Sequence, residues 1–164
     1  MNTLFPVFLK AEQMTILIVG GGNVGLEKLE ALLKNAPLTN IVLVAPEIKS
    51  EIVELKKTHS IELIYEPYRS AFLENKNIVI VGTDKPEVNK QVQIDCKSKG
   101  ILVNVADTPD LCDFYLGSVV TKGDLKIGIS TNGKSPTFAK RIREMLQEII
   151  PDNIQETLDN LQKI

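Results

Sequence analysis

The sequence predicts an α/β fold: a parallel sheet with helices between its strands, then a small β-hairpin and a helical C-terminal extension. Three observations carry that expectation. Short β-rich runs alternate with longer segments of helical periodicity over residues 15–106, the pattern of a parallel sheet. A glycine cluster sits where the first run meets the first helical segment. Beyond Asp107 the alternation stops, and two β-rich runs flank a tight turn.

TILIVG (15–20) reads as a buried strand, and 24–35 as a helix with Leu26, Leu29, Leu32 and Leu33 on one face. NIVLVA (40–45) is the second strand, and 47–57 a helix aligning Ile48, Ile52 and Leu55. IELIY (61–65) and NIVIVG (77–82) are the third and fourth strands. The segment 86–100 opens with Pro86 at the first helical position, aligns Val88, Val92 and Cys96, and closes with Gly100. ILVNVA (101–106) is the fifth strand. Residues 114–130 read as a hairpin around Lys122-Gly123-Asp124. Residues 135–150 then form an amphipathic helix with Phe138, Ala139, Ile142, Met145, Leu146 and Ile149 on one face. Pro151 breaks it, and Ile154, Leu158 and Leu161 mark a last short helix. The expected division is a nucleotide-type domain over 1–112 and a smaller extension over 113–164, which buries little alone and so packs against a second subunit.

Composition narrows the chemistry. With 43% hydrophobic and 24% charged residues the chain is that of a globular protein, and a net charge of −2 argues against a nucleic-acid binder working through a global basic field. No apolar run approaches the roughly 18 residues of a membrane span, and MNTLFPVFLKAEQ lacks the pattern of a signal peptide. Cys96 and Cys112 are too few and too far apart for a zinc site or a C-x-x-C pair, which suits reduced thiols in the cytoplasm. His59, the single histidine, lies in a polar stretch, so neither a histidine metal site nor a histidine-activated nucleophile is expected.

Gly20-Gly21-Gly22-Asn23-Val24-Gly25 matches G-x-G-x-x-G between a strand and a helix, the context a Rossmann-like dinucleotide site requires. Gly20 suits the tight turn, Gly22 the approach of a pyrophosphate, and Gly25 close helix–sheet packing, with Asn23 and Val24 opening the helix whose N–H groups face the anion. A glycine-rich turn without a ligand is the plainer alternative. At the end of the second strand, where an acid often binds the ribose hydroxyls, the chain reads Val44-Ala45-Pro46-Glu47. Glu47 is the nearest acid and no Arg favours a 2′-phosphate, which leans to NAD. Thr83 and Asp84 end the fourth strand beside the point where a nicotinamide would lie, or else cap the helix that starts at Pro86. In ISTNGKSPTFAKRIR (129–143), a helix start capped by Ser135 is surrounded by Lys134, Lys140, Arg141 and Arg143. It suits a polycarboxylate ligand or is a well-capped helix with solvated cations.

Six stretches then occur in order: LFPVFL (4–9), ILIVGGGNVGLEKLEALL (16–33), LVAPE (43–47), GTDKPEVN (82–89), VNVADTPDLCDF (103–114) and ISTNGKSPTFAKRIRE (129–144). Together they resemble the dehydrogenase family of siroheme biosynthesis, which also occurs as the N-terminal module of siroheme synthase. The family comprises precorrin-2 dehydrogenases, some of which are also sirohydrochlorin ferrochelatases. The resemblance implies NAD⁺-dependent oxidation of precorrin-2 to sirohydrochlorin by a cytoplasmic homodimer, with Fe²⁺ insertion as a further activity of some members. It implicates Asp107 in both activities, as the available base in a chain without a usable histidine. In a partly apolar cleft its pKa would rise. The plainer reading of Asp107 is an Asx-type turn before Pro109. Asn104, Thr131 (where some members carry serine), Lys134 and Ser135 are the implied substrate-side residues. Gly117 stands where the family often has proline, and the chain ends at Ile164 where many relatives continue into a larger helical region. No methyltransferase segment is expected. Two alternatives remain: a chelatase without redox function, and a non-catalytic NAD-binding regulatory domain that would leave STNGKSP idle.

Overall fold

The computed structural model describes residues 2–161. Two compact units are distinguished, Leu9–Tyr115 and a second running from Leu116 onward together with the N-terminal stretch up to Phe8.

In the first unit five parallel strands, β1 (Thr15–Val19), β2 (Asn40–Val44), β3 (Ile61–Ile64), β4 (Ile78–Val81) and β5 (Leu102–Val105), lie in the order β3-β2-β1-β4-β5. Helices α1 (Asn23–Asn35), α2 (Ser50–Leu55) and α3 (Pro86–Lys99) connect them. Successive residues of each strand feed opposite faces. Ile16, Ile18, Ile41, Leu43, Ile78 and Ile80 pack with Leu29, Leu33 and Ile52, while Leu17, Val19, Val42, Val44, Val79 and Val81 pack with Leu73, Val92 and Cys96. Both faces are therefore covered by apolar layers, which is why the strand sequences are apolar almost throughout. The strand order reverses between β1 and β4, whose ends Val19 and Val81 are register partners. A crevice at such a reversal is where open α/β sheets receive ligands.

The parallel sheet expected from the sequence is present. One element differs: the helix expected over 47–57 is confined to Ser50–Leu55. Lys49 is extended (φ −60°, ψ 146°) and its N–H donates to Gly21 O at 3.0 Å, so the glycine turn holds the start of that segment out of the helix. Short 3₁₀ turns at Ala11–Gln13, Ser70–Leu73 and Pro109–Leu111 leave no periodic trace in sequence.

In the second unit β6 (Ser118–Lys122) and β7 (Leu125–Ile129) form an antiparallel hairpin, Ser118 opposite Ile129 and Lys122 opposite Leu125. Helix α4 (Pro136–Ile149) packs on it, burying Val120 and Ala139. Before α5 (Ile154–Leu161), the Lys122 ammonium donates to Ile150 O at 2.8 Å and pairs with Asp152, while Gln155 accepts from Asp124 N–H at 2.8 Å. No helix of the described residues is long and apolar enough to cross a membrane.

Leu29 of α1 is fully buried against β1 and β2. Leu29→Ala is expected to lower the unfolding free energy by about 2–5 kcal/mol, read from denaturant midpoints.

Candidate functional site

The glycine turn is tight on its inner side and open on its outer side. Gly20 has φ +124°, and a Cβ there would lie 2.3 Å from Gly82 O. A Cβ on Gly25 would lie 2.1 Å from Gly20 O, and one on Gly82 would lie 3.0 Å from Gly25 N. Three backbones thus meet where only hydrogens fit, and α1 is drawn onto the ends of β1 and β4. A Cβ on Gly22 would meet nothing within 4 Å. Gly22 is also the N-cap of α1 and offers no side-chain oxygen to the first-turn N–H groups around Asn23, Val24 and Gly25. The turn therefore has the room and the free donors that a pyrophosphate needs.

Pro46 and Glu47 follow β2 as an exposed corner. The glycine between them and the turn is Gly21, where a Cβ would lie 2.2 Å from Glu47 O. Lys49 reaches back across the turn, its ammonium donating to Asn23 Oδ1 at 2.8 Å and pairing with Glu51 at 3.1 Å. After β4, Thr83 is locked by the buried Asn89: Thr83 Oγ1 donates to Asn89 Oδ1 at 2.5 Å, and Asn89 Nδ2 donates to Thr83 O at 3.1 Å. The N-cap of α3 is Lys85, with no side-chain cap bond, so neither Thr83 nor Asp84 caps that helix. Gly21, Lys49, Gly82 and Asn89 do not stand out in sequence as site residues. Only Gly82, a glycine closing a buried strand, leaves a signal that could have found it.

Asp107 lies just beyond β5 with φ +56°, in the left-handed region an L-residue seldom adopts. Ala106 N–H donates to Val81 O at 2.9 Å and Thr108 N–H to Val105 O at 3.3 Å, closing a turn with Asp107 at its crest. An Asx turn needs the N–H two residues on, and Pro109 has none. Among the described residues no hydrogen bond or ion pair reaches the exposed Asp107 carboxylate. The side chain is thus held up by a strained backbone and left without a partner. It is exposed rather than set in an apolar cleft. Asn104, by contrast, is buried, and its amide donates to Phe114 O at 2.8 Å.

In the second unit Asn132 (φ +55°) and Gly133 (φ +75°) make a tight turn closed by Lys134 N–H to Thr131 O at 3.1 Å. Thr131 Oγ1 accepts from Ser135 N–H at 3.1 Å, and Ser135 Oγ caps α4 by accepting from Phe138 N–H at 3.2 Å. Each hydroxyl uses its oxygen on the backbone and keeps its proton to donate. Lys134 is exposed, and no ion pair reaches it among the described residues. Gly117 is required by packing, since a Cβ there would lie 2.6 Å from Ile129 O. Among the described residues no group of three or more His, Cys, Asp or Glu is gathered for a metal ion.

A family model described as putative NAD(P)-binding matches residues 7–118, the sheet and both loops at its carboxyl edge. The chain belongs to that family. A second model, described as the central part of a sirohaem biosynthesis protein, matches residues 122–149. Siroheme synthase of Psychrobacter arcticus is 42% identical over 151 residues, 92% of this chain and 27% of that protein. Siroheme synthase of Pseudoalteromonas translucida is 38% identical over 149 residues, 91% of this chain and 31% of that one. The chain thus spans less than a third of these relatives. The solved structure of SirC, precorrin-2 dehydrogenase, superposes with a TM-score of 0.78 at 26% identity, covering 98% of this chain and 78% of that one.

For a member of an NAD(P)-binding family the glycine contacts have a direct consequence. Gly25→Ala would drive α1 away from Gly20 and is expected to abolish saturable binding in an NADH fluorescence titration while lowering the melting temperature. Asp107→Gly removes the left-handed penalty and is expected to raise stability by about 1 kcal/mol in chemical denaturation.

Proposed function

We propose that this chain oxidises precorrin-2 to sirohydrochlorin with NAD⁺, and that Asp107 is its general base. The observation that carries the reading is the partnerless carboxylate raised on a left-handed turn at the carboxyl edge of an NAD(P)-binding sheet. The likeness to SirC and to siroheme synthases supports the substrate.

Gly20, Gly22 and Gly25 shape the pyrophosphate cradle, with Asn23 and Val24 in the first turn of α1 presenting N–H groups. Glu47, beside Pro46, takes the ribose hydroxyls. The nearby cation, Lys49, is already engaged by Asn23 and Glu51, which favours NAD over a 2′-phosphorylated cofactor. Thr83 and Asp84 border the nicotinamide, and the Asn89 hydrogen bonds keep Thr83 from turning away. When bound, NAD⁺ supplies the acceptor for the hydride that precorrin-2 loses. Asp107 takes the accompanying proton; its carboxylate is free to do so because no donor competes for it. Asn104 braces the loop that carries Asp107 through the Phe114 carbonyl. In the second unit Lys134 and the donor protons of Thr131 and Ser135 receive substrate carboxylates, at a helix N-terminus that favours anions.

Insertion of Fe²⁺ into sirohydrochlorin is a second reading favoured by the same observation, because an unbonded carboxylate can also accept pyrrole protons as a metal enters. We assign the cofactor domain to 1–112 and the substrate and dimer region to 113–164, with the stretch up to Phe8 grouping with the latter. Phe138, Met145 and Ile149 on α4, with Phe5 and Phe8, are exposed apolar side chains that suit a second copy of the chain. Free Cys96 and Cys112 suit the cytoplasm.

The test is anaerobic turnover of precorrin-2 with NAD⁺, following NADH and the sirohydrochlorin spectrum. Wild type is expected to convert it, and Asp107→Ala to lose about 10²–10⁴ in rate while binding NADH normally. Equal rates for both proteins would remove Asp107 from the chemistry. No conversion by an NAD-binding wild type would leave a regulatory nucleotide domain or a chelatase.

A further inference from the structure

β5 is an edge strand: one side pairs with β4 and, among the described residues, the other has no strand beside it. The two backbone N–H groups on that free edge belong to Val103 and Val105, both buried. Buried N–H groups require acceptors, and here the chain returning after Asp107 supplies them. Val103 N–H donates to Asp113 Oδ2 at 3.0 Å, and Asp113 N–H returns a bond to Val103 O at 2.8 Å. Val105 N–H donates to the sulfur of Cys112 at 3.2 Å.

That sulfur has further polar neighbours. It stands 3.2 Å from Val105 O and 3.4 Å from Thr108 O, placed to donate its S–H to either, and accepts from Asn104 Nδ2 at 3.5 Å. Val105 and Thr108 are the first and last residues of the turn that holds Asp107. The thiol therefore bonds to both ends of the strained turn at once. A left-handed aspartate persists only where its surroundings over-determine it, and this group does so.

We propose that Cys112 is a positioning residue: its thiol, with Asn104, clamps the Val105–Thr108 turn and so keeps the Asp107 carboxylate raised for proton transfer. The proposal rests on the reading of Asp107 as the base. Burial pushes the Cys112 thiol up from its ordinary value, which keeps the proton that the clamp donates. A cysteine that merely filled space would be replaced without loss by valine. A clamping thiol is replaced by serine, which keeps both a donor and an acceptor, and not by valine.

Two readouts separate the parts of the proposal. The first is amide hydrogen exchange at Val105 and Thr108, which needs no substrate. Protection should survive in Cys112→Ser and fall in Cys112→Val at both amides; wild-type protection in Cys112→Val overturns the clamp. The second is turnover of precorrin-2. Cys112→Val should lose about 10²-fold in kcat, with the NAD dissociation constant unchanged and Cys112→Ser close to wild type. In an Asp107→Asn background the same valine substitution should cost nothing further. A kcat loss that adds fully to that of Asp107→Asn would mean Cys112 acts elsewhere and would overturn the positioning role. If wild type itself fails to turn over while the exchange pattern holds, the reading of Asp107 fails and the clamp stands as a structural fact.

Discussion

The close approach of Gly20, Gly25 and Gly82 is the constraint on which the carboxyl edge of the sheet depends. Each would-be Cβ falls on a neighbouring backbone atom, 2.1 Å to 3.0 Å away, so the first turn of α1 sits against the ends of β1 and β4 with no side chain between. That contact sets where the helix N–H groups point and leaves Gly22 facing open space. It also organises the next loop: Gly21 comes up against Glu47 O, Gly21 O receives Lys49 N–H, and the Lys49 ammonium reaches Asn23. The glycine turn is thereby joined to the segment that follows β2.

At the other side of the crevice the chain uses an edge strand. An unpaired edge usually invites association with another strand. Here it is taken up by the protein's own residues 112–114, and the short loop this creates lifts one carboxylate. Among the described residues, three other than glycine adopt left-handed backbone: Asn75, Asn132 and Asp107. Asparagine at two of them is ordinary turn chemistry. At Asp107, among the described residues, no hydrogen bond reaches the side chain.

The second unit works by a different rule. Asn132-Gly133 is a turn that its residues adopt readily, and Thr131 and Ser135 build the start of α4 by accepting backbone N–H groups. The same hydroxyls that begin the helix by accepting each keep a proton to donate. Lys134 adds a cation without the geometry of an ion pair to satisfy, in a chain whose net charge is −2.

Much of this was open to reading from residues alone, because the signals are local. Five strands, the helix over 86–100 and the amphipathic helix after Ser135 follow from periodicity, and Pro86, Gly100 and Pro151 mark their ends. The glycine spacing identifies the ligand class because the turn is contiguous in sequence. Asp107 stands out as an acid closing an apolar strand. What only the tertiary structure decided involves residues far apart in the chain. Gly82 meets Gly25 across two strands, and Lys49 trims its own helix by bonding to Gly21. The missing Asx bond at Asp107 and the four polar neighbours of the Cys112 sulfur depend on how the chain returns along β5. Periodicity records which face of an element is buried. It carries no information about which backbone atom will lie against it, and at the carboxyl edge of this sheet those backbone atoms define the site.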